Sequence, residues 1–407
     1  MRLTAASTPP RLSTLVLATG VSVMTLNLFL PSLAGMAQDF GVSYATMTLA
    51  ISGYFAATAV VQLLLAPLSD KIGRRPVLLA GFAMFSLASL ICMTATGFEL
   101  FLVGRILQCA VVTGSALSAA VVRDTAEPDA AARRLGTIGM AMALGPMLAP
   151  LIGGTLEAAF GWRSNFALYT LLGLGTLTLI WMDLGETAPA RGRTFASQFH
   201  GYFELLGAGR FWANALCIAF SSSTFFIFIS GAPIIGPEVY GLSPAAVGLA
   251  MATTPAGYML GNFLTSRIAG TVPLARLLVV ARSLVVAGLL LAILLASLSA
   301  PAWVFFGMMT TVGIGNGLTM APAYTGAMSV RPDLAGSASG LSGALAVGIG
   351  AVATAIAGLA VSALPDPRTL AIVMQASAIA ALGAALIARR HEKHAAPSPL
   401  ESGTDRP

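Results

Sequence analysis

The stretch Asp70-Lys71-Ile72-Gly73-Arg74-Arg75 decides the fold of this chain. It concentrates charge in a sequence that is 57% hydrophobic and only 9% charged. Apolar segments lie directly before and after it, so these residues predict a short turn between two membrane helices. The lysine and arginines would keep this turn on the cytoplasmic side. Gly73 would let the helices approach closely, because glycine adopts backbone angles that other residues resist.

Apolar runs of similar length recur along all 407 residues, and the mean hydropathy of +0.85 excludes an ordinary soluble globule. We therefore predict an all-α integral membrane protein with twelve transmembrane helices in two six-helix halves. The predicted spans cover about 12–36, 45–69, 76–96, 99–122, 136–157, 164–183, 211–232, 243–266, 275–297, 302–325, 335–360 and 368–388.

The chain divides at its longest polar interruption. Residues 1–183 form the predicted N-terminal half and residues 211–388 the C-terminal half. The linker, residues 184–210, has large apolar residues at helical spacing, which is typical of a helix lying on the membrane surface. Residues 389–407 are predicted to be a disordered cytoplasmic tail. Phe40-Gly41-Val42-Ser43 and Tyr240-Gly241-Leu242-Ser243 mark the two halves as a repeat, which places a substrate site between them.

Basic residues set the predicted orientation. Most fall at the termini or in turns on one side of the predicted bundle, and the opposite turns carry little beyond Arg163 and Arg368. Both termini are therefore expected in the cytoplasm, and the first span is expected to be retained rather than cleaved as a signal peptide. The formal net charge of +6 is explained by this topology. It does not indicate nucleic-acid binding, because the basic residues are scattered over many short loops.

Three motifs carry a resemblance to a known family. The turn extends as Leu68-Ser69-Asp70-Lys71-Ile72-Gly73-Arg74-Arg75-Pro76, span four contains Arg105-Ile106-Leu107-Gln108, and span five contains Gly145-Pro146, Pro150 and Gly153-Gly154. With these motifs the chain resembles the major facilitator superfamily. The Gly161-Trp162-Arg163 corner and the Asn27-Leu28-Phe29-Leu30-Pro31 stretch resemble, more narrowly, the Bcr/CflA-type exporters, which are twelve-span drug:proton antiporters of bicyclomycin and chloramphenicol resistance.

The resemblance implies roles for two of these motifs. Asp70, Arg74 and Asp124 would form a charged latch that stabilises the outward-facing state, although the arginine could serve only as a topology anchor. Span five would contain a hinge, although close helix packing explains the same residues equally well. The implied hinge residues are Gly145, Pro146, Pro150, Gly153 and Gly154.

Arg105 is the sharpest candidate for a functional residue inside a span. It lies roughly 9 Å below the outer end of span four at about 1.5 Å per residue, and a charge at that depth is usually functional. Asn27 lies at similar depth, so we expect the two side chains to approach within hydrogen-bond reach, directly or through one water. Tyr54 is a third candidate for coupling or substrate contact. A purely structural arginine is an equally good alternative, and Arg105 is predicted to be the only deep charge.

Asn27 also marks a departure from the family. Drug exporters of this type usually carry an acidic residue at or near this position, and no aspartate or glutamate lies near a predicted midplane. Without such an acidic residue, there are three alternatives for how transport could be coupled to protons. A carboxylate at a helix end such as Glu99 or Asp39 could bind it, the substrate could carry it, or coupling could be lost.

The predicted substrate pocket is apolar and aromatic, which suits a bulky, uncharged, partly lipophilic compound. Packing or lipid contact remains an alternative for each of its residues. The candidates are Met24, Phe225, Phe226, Tyr258, Asn262, Asn316 and Tyr324.

The resemblance implies a secondary active transporter that exports a small amphiphilic, drug-like compound across the bacterial inner membrane in exchange for protons. Uptake or exchange of a neutral or anionic metabolite is the alternative within the same fold, and a non-transporting membrane sensor is the alternative of another class. The spans contain no nucleophile–base pair, so an enzyme is not expected. We expect a monomer in the lipid bilayer, with a small-molecule substrate and without nucleic acid, cofactor or metal. Cys92, Cys109 and Cys217 lack metal-ligand spacing.

Overall fold

The computed structural model describes residues 10–188, 204–268, 271–331 and 334–395. Within these ranges the chain is helical, with short connecting turns and no strand. The N-terminal half contains α1 (Leu12–Asn27), a 3-10 turn (Leu30–Ser32), α2 (Leu33–Asp39), α3 (Tyr44–Met47), α4 (Leu49–Ile72), α5 (Arg74–Thr94), α6 (Phe98–Leu107), a second 3-10 turn (Gln108–Val111), α7 (Val112–Thr125), α8 (Pro128–Phe160) and α9 (Arg163–Asp183).

The C-terminal half follows the same plan of long apolar helices joined by short turns. It contains α10 (Gly209–Tyr240), α11 (Pro244–Met251), α12 (Thr253–Ile268), α13 (Leu274–Ser297), α14 (Ala302–Met308), α15 (Thr310–Met328), α16 (Ala335–Ala363) and α17 (Pro367–Ala395). We call the end of the bundle that carries the α4–α5 turn the Gly73 end, and the opposite end, with the α8–α9 turn, the Gly161 end.

Eleven segments of the described chain are long and apolar enough to cross a membrane. The predicted fold of membrane helices in two halves is confirmed, and the eighth predicted span, residues 243–266, is the one that is not among these eleven unbroken segments. This segment forms α11 and α12, which are interrupted at Ala252. Its threonines face protein rather than lipid, since the Thr253 hydroxyl donates to the carbonyl of Phe306 at 2.9 Å. The opposite side of the pair exposes large apolar side chains, among them Leu249, Leu260 and Phe263. Polar groups that bond to neighbouring helices are compatible with a membrane span.

Two predicted spans are broken where the sequence suggested continuous helices. Span one stops at Asn27 and continues as a 3-10 turn that contains Pro31, whose nitrogen cannot donate a helical hydrogen bond. Span four stops at Leu107 and passes through the 3-10 turn that begins at Gln108. Both breaks lie beside the most deeply buried charge of the N-terminal half.

Glycine pairs bring α12 and α15 into backbone contact. Gly257 and Gly261 on α12 face the backbone of α15, while Gly313 and Gly317 on α15 face the backbone of α12. A β-carbon at any of the four would collide with the opposing helix. Small residues spaced four apart are a common way for membrane helices to pack closely. The two helices therefore behave as one packed unit.

The two halves meet through α8 with α11 and α12, and through α4 with α16. Gly154 on α8 lies against the backbone of Pro244, and Gly248 on α11 lies against the backbone of Pro150. These reciprocal contacts join the halves near the Gly161 end without intervening side chains.

The linker and tail predictions are only partly within the described residues. Most of the predicted surface helix falls in residues 189–203, and the end of the predicted tail falls in residues 396–407, both outside the described ranges. The tail boundary at 389 needs correction, because α17 continues to Ala395. An α-helix satisfies its own backbone hydrogen bonds, so it can continue beyond the apolar segment.

Candidate functional site

The Arg105 side chain is completely buried in the N-terminal half. Its Nη1 donates to Oε1 of Gln108, and Nε2 of Gln108 donates to the Ser89 hydroxyl at 2.7 Å. Its guanidinium carbon lies 4.1 Å from the ring centroid of Phe29 and 4.9 Å from that of Tyr54. Aromatic faces at these distances stabilise a cation without neutralising it. The structure thus brings the predicted Arg105 and Tyr54 together and adds Phe29, which the break after Asn27 places there.

Asn27 does not contact Arg105 directly among the described interactions. Its Nδ2 donates to the carbonyl of Val23 at 2.9 Å, and its Oδ1 is buried without a partner. Nε and Nη2 of Arg105 are likewise buried without partners. A bridging water would satisfy such groups, so the water-mediated form of the predicted contact stays a prediction.

A second arginine is completely buried in the C-terminal half, so the prediction that Arg105 is the only deep charge is wrong. Nη1 of Arg282, on α13, donates to Oδ1 of Asn316 at 3.0 Å. Nδ2 of Asn316 in turn donates to the carbonyl of Ser221 at 3.1 Å. The signal was present in the sequence, because Arg282 interrupts an apolar run inside span nine.

A cavity of about 320 Å³ lies between α8 of the N-terminal half and α10, α12 and α15 of the C-terminal half. Its wall is mostly apolar and aromatic. Four predicted pocket residues line it, namely Phe225, Phe226, Tyr258 and Asn316. The lining residues that the sequence did not suggest are Met142, Pro146, Ser222, Thr254, Pro255, Gly313 and Met320.

Three other predicted pocket residues lie elsewhere. Met24, Asn262 and Tyr324 are not among the described residues that line this cavity. Met24 packs against the main hydrophobic core, and Tyr324 packs against a smaller cluster of the C-terminal half. The sequence showed which helix carries each residue, but not the rotation of that helix about its own axis.

The predicted charge cluster is assembled at the Gly73 end. Nη1 of Arg74 lies 2.5 Å from Oδ1 of Asp70, and Nε of Arg74 lies 3.2 Å from Oδ2 of Asp124. All three residues belong to the N-terminal half. The role of this cluster as a latch for the outward-facing state stays a prediction.

Glu186, just after α9, is a partner of this turn that the sequence did not reveal. Its Oε1 accepts from the backbone nitrogen of Arg74 at 2.8 Å, and its Oε2 accepts from that of Arg75 at 3.3 Å. The carboxylate therefore caps the first turn of α5, where backbone N–H groups lack helical partners. Gly73 has a φ of +110°, and a β-carbon there would collide with the same carboxylate.

The span-five residues mainly serve close packing in this structure. α8 continues unbroken through Pro146 and Pro150. Gly145 packs on a side chain of α1, Gly153 lies against the backbone at the end of α1, and Gly154 lies against α11. A hinge in this helix stays a prediction.

The helix-end carboxylates differ in their surroundings. Asp39 accepts from Nη1 of Arg163 at 2.8 Å and from Nε1 of Trp162 at 3.0 Å, and Glu99 is exposed. Glu157 on α8 is different, because its Oε2 is buried without a hydrogen-bond partner. It is the only carboxylate of the described residues with such an oxygen.

A two-half bundle of membrane helices around a largely apolar cavity defines a membrane transporter. Within the described residues, no group of histidine, cysteine and acidic side chains could hold a metal ion. The sequence profile of the Major Facilitator Superfamily matches residues 15–355. The chain belongs to this family, and the structure agrees with its all-helical fold in two halves.

Several known proteins are similar to this chain. An uncharacterized MFS-type transporter, YdgK of Bacillus subtilis, is 27% identical over 83% of this chain and 85% of its own length. The multidrug transporter MdfA of Edwardsiella piscicida is 29% identical over 72% and 73%. The multidrug resistance protein MdtL of Salmonella heidelberg is 30% identical over 78% and 80%.

A solved structure has the same fold. The crystal structure of a bacterial homologue of the human lysosomal transporter Spinster, in an inward-facing and unoccupied conformation, superposes with a TM-score of 0.76. The alignment covers 95% of this chain and 98% of that one, at 18% sequence identity.

Proposed function

We propose that this protein exports a small amphiphilic, drug-like compound across the inner membrane, with both termini in the cytoplasm, and that it is of the Bcr/CflA type. The observation that carries the proposal is the cavity between α8 and the C-terminal half. A site shared by two halves can be exposed to one side of the membrane and then to the other as the halves rock. Its aromatic wall suits a lipophilic compound, and the similarity to MdfA and MdtL supports a drug as the substrate.

Proton coupling is the second part of the proposal, and we assign the proton to Glu157. A carboxylate oxygen that is buried without a donor is costly to keep charged. Of the elements packed against α8, the 3-10 turn offers Glu157 the Ser32 hydroxyl, but the cation near the Gly161 end, Arg163, pairs with Asp39 instead. The other charged residues of those elements whose side chains are described are Arg123, Asp124, Asp183 and Arg267, which belong to the Gly73 end.

Two other functions are alternatives to drug export. Uptake or exchange of a neutral or anionic metabolite would use the same cavity, and buried arginines without carboxylate partners favour such a ligand over a cation. A non-transporting sensor would be favoured by a pocket filled with side chains, whereas about 320 Å³ of space supports a transported ligand.

Drug susceptibility in an efflux-deficient bacterial host tests the proposal. Cells that express the parent chain should tolerate at least one lipophilic compound of a panel better than cells with an empty vector, and a protonophore should abolish the difference. Phe225→Ala should reduce the tolerance, because Phe225 lines the cavity. Phe160→Ala is the matched control, because Phe160 is 77% exposed. A panel without any protected compound would contradict drug export.

A further inference from the structure

We propose that Arg282 and Asn316 form a recognition element that makes the cavity prefer lipophilic anions, and neutral compounds with oxygen acceptors, over lipophilic cations. The proposal rests on the proposed function in one respect, since it takes the cavity as the substrate site. It adds the class of substrate and a residue that lies behind the cavity wall.

The hydrogen bonds of Asn316 determine the orientation of its carboxamide. A guanidinium can only donate hydrogen bonds, so the contact of Nη1 of Arg282 at 3.0 Å must be made to the amide oxygen. The amide nitrogen then faces the other way, where one hydrogen goes to the carbonyl of Ser221 at 3.1 Å. The second hydrogen of this NH2 group remains for a ligand. Asn316 lines the cavity, so it offers a donor to a ligand's carbonyl or anionic oxygen.

Arg282 also acts on the ligand space through its charge. Arg282 is completely buried, it forms no ion pair with a carboxylate of the described residues, and its Nε and Nη2 have no partner. No aspartate or glutamate is among the described residues that line the cavity. A single side chain, Asn316, therefore separates an uncompensated positive charge from the ligand space. In such a low-dielectric setting the charge attracts an anion and repels a cation.

The hydrogen bonds of Arg282 differ from those of an arginine that only holds two helices together. An arginine that only tied α13 to α15 would be expected to use its donors on backbone carbonyls or on a carboxylate. Arg282 instead donates to Asn316, a residue of the cavity wall. Arg105 has the same arrangement in the other half, with one bond to an amide side chain and two free nitrogens. Both halves thus contribute positive charge to the interior.

The test uses two probes that match in size and shape but not in sign, tetraphenylborate and tetraphenylphosphonium. Equilibrium binding of each to the purified full chain in nanodiscs is measured, with empty nanodiscs subtracted to remove partitioning into lipid. The readout is the ratio of the two affinities. We expect the parent to favour the borate. Arg282→Gln should reduce that ratio about a hundredfold, because one charge about 10 Å away at an effective dielectric constant of about 20 changes each affinity about tenfold, in opposite directions for the two probes.

Three variants complete the experiment. Arg276→Gln removes the same charge from an exposed position on the same helix and should leave the ratio unchanged. Arg282→Lys keeps the charge and should keep most of the preference. Asn316→Asp is nearly isosteric and places a carboxylate against Arg282, so it should abolish or reverse the preference even if Arg282→Gln fails to fold.

The outcomes separate this inference from the proposed function. A parent that binds neither probe, or a folded Arg282→Gln or Asn316→Asp variant with the parental ratio, would overturn the recognition element. Selective binding without any protection of cells against the drug panel would leave the recognition element standing and contradict export.

Discussion

The residue that most limits the proposed proton coupling is Asn27, because the resemblance to drug exporters implies an acidic residue at or near this position. In this chain Asn27 keeps a buried Oδ1 without a partner, while Arg105 keeps two unpartnered nitrogens. The N-terminal half therefore contains a positive charge without a matching negative one among its described residues. A single substitution can supply that negative charge.

We predict that Asn27→Asp improves recognition of lipophilic cations by about tenfold while leaving export of a neutral compound largely intact. The added carboxylate lowers the net charge of the interior by one. Susceptibility to a cationic and to a neutral drug, compared between parent and variant at equal expression, measures the effect. An unchanged preference would mean that Asn27 does not face the substrate path.

Glu157 gives a second prediction at this scale. If it binds the coupling proton, Glu157→Gln should still bind substrate but should lose export driven by a pH gradient, because glutamine cannot be ionised. Efflux from inverted vesicles with an imposed pH gradient, together with equilibrium substrate binding, separates the two effects. Glu99→Gln is the control, since Glu99 is exposed at a neighbouring helix end. Gradient-driven export at the parental rate would remove Glu157 from the mechanism.

At the scale of elements, the α4–α5 turn both links two helices and binds several acidic side chains. Gly73 ends one helix, Arg74 begins the next, and three carboxylates converge on this short segment. Asp70→Asn should impair transport while leaving membrane insertion intact, because it removes a charge and no apolar surface. Transport and membrane abundance measured on the same cells test this. Transport by Asp70→Asn equal to that of the parent would refute the latch.

The α12–α15 contact permits a prediction about stability. Gly257→Val should destabilise the protein by about 1–3 kcal/mol, because the added methyl groups have only the backbone of α15 to displace. Thermal unfolding in detergent reports the change. Gly307→Val is the control, because Gly307 on α14 has open space around its α-carbon. Equal melting temperatures for the two variants would mean that the helices separate more easily than their backbone contact indicates.

The elements also show what a sequence can and cannot reveal. Apolar length predicted the membrane helices, and the family resemblance predicted the contacts of Arg74 with Asp70 and Asp124 that the structure contains. The contact of Glu186 could not be predicted from the sequence. Its partners are backbone N–H groups far away in the chain, and backbone groups leave no pattern of side chains. The interruption of the eighth span at Ala252 left no mark on its apolar length, because the threonines beside it bond to carbonyls of Phe306 and Met309 that are distant in the chain.

At the scale of the whole molecule, the two halves are joined by backbone contacts near the Gly161 end and share a cavity that is mostly walled by the C-terminal half. Because α12 and α15 pack as one unit, Tyr258 and Asn316 should keep their relative positions when the halves move. Rearrangement around the ligand is then expected mainly from α8, because the described lining residues of the N-terminal half, Met142 and Pro146, belong to it.

The two buried arginines have an electrical consequence. A membrane potential acts on charge inside the bilayer with about 2.3 kcal/mol per elementary charge for each 100 mV across the full thickness. A transporter whose interior is positive when empty, and whose site alternates between the two faces, is therefore driven by voltage during its unloaded step. A bound monoanion would cancel part of that charge. The rate of the loaded step should accordingly depend more steeply on the membrane potential for a neutral compound than for a monoanion of the same size, and initial transport rates at several imposed diffusion potentials measure this difference.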